Sequence, residues 1–268
     1  MHKTYHNEKQ YHIQCKPGDL AKYLLIPGDP ERVEKIASLW DEAREISCHR
    51  EFRAFTGKYK GVNLSALSSG IGPAAMAIVV NEAANIGVET FIRVGSCGSI
   101  QPHIKCGDLV ILSGAVRLDG TSNNYAIVEY PALAHYEVLL ALIEAAEKLD
   151  IKYHVGIAAT TSDFYAGQAR TRTQHQNLIN TLKQNGVLAF EMEAATLFTL
   201  ANTFKLRAGC ICAVYANRIT GEFTPNAGEK TCTQTATEAI KILNEWDKAK
   251  QRKKKNNFYP SLLKMGNV

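Results

Sequence analysis

A chain of 268 residues and 29.5 kDa, with 46% hydrophobic and 21% charged residues, has the composition of one globular domain with a substantial core. The formal charge of +5 is local: the run KAKQRKKK at 248–255 carries six positive charges and no negative one, and setting it aside leaves −1. That placement argues against a nucleic-acid-binding body and fits a solvated helix end. No apolar run approaches the ~20 residues of a membrane span, and MHKTYHNEKQYHIQC lacks an apolar targeting core, so no membrane association and a cytoplasmic location are expected. Seven scattered cysteines without a C-x-x-C pair exclude a zinc framework and favour reduced thiols.

In chain order, YLLIP (23–27) reads as a buried strand stopped by Pro27 and Gly28. PERVEKIASLW (30–40) follows as a helix with Pro30 in its first turn. VNLSALSSG (62–70), TFIRVG (90–95), DLVILSGAV (108–116), VGIAATTSDFY (155–165) and CICAVYAN (210–217) read as further strands. The helical stretches are AAMAIVVNEAANIG (74–87), ALAHYEVLLALIEAAEKLD (132–150) and ATEAIKILNEWDKAK (236–250). This alternation predicts an α/β fold: one domain, with a central mixed, mostly parallel sheet flanked by helices.

Ligands in such folds sit beyond the carboxyl ends of the strands, where polar clusters recur here: GDPER, SSGIGP, RVGSCG, SDFYAGQAR and YANR. In FIRVGSCGSI (91–100), Arg93, Gly95 and Gly98 bracket Ser96 and Cys97; a sharp turn there would let a cation and a hydroxyl converge on a phosphate. The stretch lacks the GxGxxG spacing of a dinucleotide site. EMEAATLFTLA reads as the opening of an amphipathic helix, and Glu191 and Glu193 are expected to point in opposite directions and not to do the same job.

Taken together, IPGDPERVEKIA, SCHREF (47–52), SSGIG, RVGSCGSIQPH, DFYAGQAR, FEMEAA and VYANR resemble the nucleoside phosphorylase family of hexameric, trimer-of-dimers type, in order over residues 11–247. The resemblance implies a phosphorylase domain over 1–247 followed by a basic tail, 248–268. It implies a pentosyltransferase with no cofactor and no metal, in which inorganic phosphate is a co-substrate. FYxGQxR is similar to the uridine phosphorylase branch, which implies phosphorolysis of uridine, with deoxyuridine or thymidine as further substrates. By the same resemblance Gly28, Arg32, Arg93 and Ser96 hold phosphate with Arg50 of a neighbouring subunit, and Met192, Glu193 and a neighbour's His12 hold the ribose. Phe164, Gln168, Arg170, Cys97 and Gly98 face the base, with Arg170, Gln168, Arg218 and Glu193 in the catalytic roles.

The residue chemistry agrees with those roles. Guanidinium groups stay ionised and fork two hydrogen bonds onto an oxyanion. A glutamine offers the donor and acceptor that a uracil edge needs, and an arginine can meet charge developing on the base. The purine branch carries an aspartate where Asn217 stands, which favours a pyrimidine. Residues 171–186 look shorter than the matching bacterial region, and Tyr215 replaces an aliphatic residue. A monovalent-cation site would involve Glu51 and Ile71, but Ala75 stands where its serine is expected. The alternatives are a purine or methylthioadenosine phosphorylase, a nucleosidase, and a non-catalytic nucleoside-binding protein. NFYPSLLKM either docks through Phe258, Tyr259 and Leu262 or stays free.

Overall fold

The structure, a computed structural model, describes residues 8–171 and 177–263. Its central strand, β5 (Thr90–Ser99), is paired on both sides by parallel neighbours, β1 (Tyr23–Ile26) and β10 (Arg207–Asn217). Beyond β1 the sheet continues through β4 (Val62–Leu67) and then antiparallel through β3 (Phe52–Tyr59) to β2 (Glu42–His49). On the other side β10 runs antiparallel to β6 (Leu109–Leu118), which pairs in parallel with β8 (Tyr153–Thr161) and antiparallel with the short β7 (Ala132–Leu133). β9 (Ala189–Glu191) joins β8 to the end of β5, so β5, β10, β6, β8 and β9 close on themselves. The sheet is mixed, as expected.

Helices cover both faces. On one lie α2 (Pro73–Asn85) and α5 (Ala194–Thr203), packed on Phe91, Val110, Cys210 and Cys212. On the other lie α1 (Pro30–Ala37), α3 (Tyr136–Lys148) and α6 (Glu229–Arg252), packed on Tyr23, Leu25, Ile92 and Ile211. The short α4 (Leu178–Gln184) closes a smaller cluster with Ile100 and Phe190. Among the described residues no helix is long and apolar enough to cross a membrane.

Several local readings change. Ala132 and Leu133 form β7, and the helix predicted over 132–150 starts only at Tyr136, capped by His135. The α6 helix begins at Glu229, ahead of the apolar repeat, because Thr233, Thr235 and Thr237 are buried with their hydroxyls donating to carbonyls one turn back. The α5 helix is not amphipathic, since Ala194–Ala201 are all buried. β2 and β3 escaped the sequence reading, as their alternation is interrupted by charges at the sheet edge.

The C-terminal stretch docks rather than hanging free. The Phe258 ring stacks on Trp246 at 3.8 Å, the Phe258 amide donates to Glu137 at 2.9 Å, and Leu262 is fully buried. Within the basic run, Lys250 ion-pairs with Glu137 at 2.6 Å, so part of that charge balances a buried carboxylate.

Candidate active site

The loops that follow β1, β4, β5 and β10 lie at one edge of the sheet, because these strands are mutually parallel. Gly28 and Gly70 meet there, the Gly70 amide donating to the Gly28 carbonyl at 2.9 Å. Arg93 stands at the centre, 4% exposed. Its Nε donates to Glu191 at 3.0 Å, and its Nη2 pairs closely with Glu193. Burial works against its charge, yet Glu193 and Glu191 outweigh that penalty and hold the guanidinium well above its ordinary range. Burial also pushes the Glu191 carboxyl up to about 7, with Arg93 opposing and Glu193 reinforcing the rise.

The two glutamates therefore share one partner, and the expectation that they point in opposite directions is corrected: residues two apart in an extended segment share a face. β9 stops at Glu191, and the chain turns so that Glu193 stands just before α5. The Glu191 carboxylate also accepts from the Glu193 and Ala194 amides at 2.9 Å, satisfying donors at the start of that helix. Thr160, which sequence reasoning passed over, donates to Glu191 while accepting from the Ala195 amide. Glu193 in turn accepts from the Gly72 amide at 2.6 Å. Each of its oxygens retains a lone pair for another donor.

Gly95 and Gly98 do not make a turn, since β5 runs unbroken through both. They provide clearance. A Cβ on Gly95 would lie 2.9 Å from the Arg93 guanidinium and 3.0 Å from the Cys212 sulfur; one on Gly98 would press on Arg170 at 3.4 Å and on Arg218 at 3.5 Å. Alternation along the strand sends Arg93 and Cys97 to one face and Ser96 to the other. Ser96 is partly exposed, and its hydroxyl has no partner among the described residues. The Cys97 thiol is buried beside Cys212 rather than exposed to a ligand.

Arg32, on α1, donates through Nη1 to the Val94 carbonyl at 3.3 Å, which ties it to β5 beside Arg93. The expected base-facing residues assemble around the segment after β8. Gln168 is 2% exposed and accepts from Arg170 Nε at 3.4 Å, while Arg218 donates to the Gln168 carbonyl. Ala169 between them takes a left-handed φ of 52°. Asp163 braces the loop by accepting from the Gly167 amide at 2.7 Å, a contact the sequence did not point to. No carboxylate pairs with Arg170 or Arg218 among the described residues. Partial burial lowers Arg170, and burial with the neighbouring Arg170 charge brings Arg218 down to about 10.

Phe164 lies under the Arg170 guanidinium at 4.1 Å and remains 44% exposed. Met192 is partly buried between the two glutamates in sequence. Residues 172–176 of the stretch 171–186 lie outside the described residues.

Asn217 does not occupy a substrate-facing position. Its amide donates to the Gln101 and Ile104 carbonyls at 2.9 and 2.7 Å, and its oxygen accepts from the Ile219 and Thr220 amides. With all these partners inside the protein, the residue fixes the turn that delivers Arg218.

His12 and Arg50 lie near one another at the β2–β3 turn. The His12 Nδ1 is 2.6 Å from Glu82, which orients the ring and leaves Nε2 without a partner among the described residues. Arg50 has a left-handed φ of 55° and lies over the Tyr11 ring at 6.0 Å; Tyr11 in turn meets His12 edge-on at 4.8 Å.

The chain is similar to several known proteins. A protein named uridine phosphorylase from Thermococcus kodakarensis is 59% identical over 259 residues, covering 94% of this chain and 93% of that protein. Another uridine phosphorylase, from Escherichia coli K12, is 40% identical over 244 residues, covering 88% of this chain and 95% of the relative. A guanosine phosphorylase from Halorubrum lacusprofundi is also 40% identical, over 213 residues covering 80% and 86%. Residues 22–245 match the family described as the Phosphorylase superfamily, and the chain belongs to it.

Proposed function

We propose that the protein is a uridine phosphorylase, a pentosyltransferase that reversibly converts uridine and inorganic phosphate to uracil and ribose 1-phosphate. The observation that carries this reading is the pair Arg170 and Arg218, two guanidiniums beside a buried glutamine with no protein carboxylate to neutralise them. Such a pair is built to receive an anion. The relatives named uridine phosphorylase support the same substrate.

In this reading, phosphate lies among Arg32, Arg93, the Gly28 backbone and the Ser96 hydroxyl. Glu193 accepts bonds from the ribose 2′- and 3′-hydroxyls with the lone pairs left by Arg93 and Gly72, and Met192 packs on the sugar. A phosphate oxygen forms the new bond to C1′ as the bond from C1′ to N1 breaks. The electron pair passes into the uracil ring, and Arg170 with Gln168 stabilises the charge reaching its carbonyl oxygen until N1 takes a proton from solvent. The guanidiniums are fixed before the charge arrives, so little reorganisation is needed at the transition state. The mechanism calls on no cofactor.

A purine reading has one observation in its favour, the guanosine phosphorylase relative. Base release from uridine, thymidine, inosine and guanosine, each with and without phosphate, separates the readings. Uracil released only with phosphate is the expected result. A purine base released in preference overturns it, and release without phosphate indicates a hydrolase.

The site is further proposed to be shared between subunits of a homohexamer, with Arg50 completing the phosphate subsite and His12 the ribose subsite of a neighbouring copy. Arg50→Ala and Glu193→Ala are each expected to be nearly inactive. Unfolded together and refolded as a mixture, they should recover about a quarter of wild-type activity, because half of the two-fold pairs are mixed and each mixed pair holds one intact site. No recovery, in mixed oligomers confirmed by mass, places Arg50 in its own chain's site.

A further inference from the structure

Two residues beside the phosphate arginines have no role in the scheme above. Glu229 opens α6, and its side chain is 12% exposed. It faces Arg32 Nε and Nη2, both at 3.0 Å, the Tyr215 hydroxyl at 2.7 Å and Lys35 Nζ at 2.8 Å. Tyr215, near the end of β10, donates to Glu229 and accepts from Arg32 Nη2 at 3.1 Å. Hydroxyl, carboxylate and guanidinium thus form a closed triangle.

An acid at a helix start needs no other function to be favourable. The geometry here goes further, because the whole Nε and Nη2 edge of Arg32 is taken up. The remaining Nη1 end is turned to β5, where it meets Val94, two residues before Ser96. Arg32 Nη1 reaches the carbonyl of Val94, the residue after Arg93, so two cations serve one strand before any phosphate arrives. A second cation so placed calls for a counter-charge behind it. Burial alone would raise the Glu229 carboxyl, but Lys35, Tyr215 and Arg32 hold it below its ordinary range, so it serves as that counter-charge.

We propose that Tyr215 and Glu229 are positioning residues for phosphate: Glu229 anchors Arg32 against its neighbour, and the Tyr215 hydroxyl fixes the rotation of the guanidinium plane so that Nη1 points into the phosphate subsite. The proposal rests on the phosphorolysis reading. Its test is steady-state kinetics of Tyr215→Phe, Glu229→Gln and Lys35→Met, with phosphate varied at saturating uridine and uridine varied at saturating phosphate.

Tyr215→Phe changes no charge and keeps the ring. It is expected to raise KM for phosphate about fivefold, the equivalent of one lost hydrogen bond, while KM for uridine and kcat at saturation stay within about twofold. Glu229→Gln should raise KM for phosphate further. Lys35→Met, which touches Glu229 but not Arg32, should leave both constants unchanged. An unaltered or lowered KM for phosphate in Tyr215→Phe overturns the proposal, as does an equal loss towards both substrates accompanied by a fall in melting temperature. If the wild-type protein shows no phosphate-dependent turnover, the functional reading fails instead. Calorimetric titration of wild type and Tyr215→Phe with inorganic phosphate alone then decides the positioning: weaker binding by the variant supports it, and equal binding overturns it.

Discussion

Arg170→Ala is expected to lower kcat for uridine by about two to three orders of magnitude, the loss typical of removing one donor prepositioned at developing charge. KM for phosphate and the melting temperature should stay at wild-type values. The side chain is exposed in the chain, and its contacts are the Gln168 oxygen and the Phe164 ring, so its removal opens no hole in the core. The loss should depend on the leaving group. A uridine analogue carrying an electron-withdrawing 5-substituent stabilises its own departing anion and should recover part of the rate. Unchanged kcat would remove Arg170 from the mechanism, and a uniform loss across leaving groups would reduce it to a binding contact.

Arg93→Met is the second large effect, and it differs in kind. The methionine keeps apolar volume but leaves Glu191 and Glu193, both buried, facing each other without a cation. Breaking a buried pair in this way costs about 3–5 kcal/mol. One carboxyl is then expected to take up a proton, so the variant's stability should fall as pH rises through neutrality, where that proton must leave. Glu193 would also lose the partner that fixes its orientation for the proposed ribose contact. A melting temperature unchanged across pH 6–8 would contradict the shared ion pair, whatever happens to catalysis.

Much of this arrangement was legible before any coordinates. Short apolar runs ending in polar clusters located the strand ends, and the order of those clusters pointed to the family. What the sequence concealed was mostly what the chain does immediately after a strand. The expectation that Glu191 and Glu193 point apart misapplies strand alternation, which sets residues i and i+2 on the same face, and the strand in any case ends at Glu191. The glycines of β5 read as a turn because φ freedom is their commonest use, whereas here they admit guanidiniums close to the backbone. Asn217 is read from the sequence only as the residue that stands where the purine branch carries an aspartate, with no structural role attached. Its four internal hydrogen bonds come from two segments, one of them more than a hundred residues away in sequence, which no local pattern discloses. Thr160 and the partnership of Tyr215 with Glu229 are hidden for the same reason.

The site also divides its labour between two kinds of support. Arg93, Ser96 and Glu193 stand on β5 and at the start of a helix whose first eight residues are buried, while Phe164, Gln168 and Arg170 stand on one loop braced by Asp163. The loop carries none of the buried ion pairs, so exchanges at its exposed positions are expected to cost less stability than the same changes in β5. With the proposed roles, base preference is set on the loop, apart from the elements that hold phosphate and sugar. An engineer seeking a new nucleobase would randomise residues 164–170 and leave the strand alone.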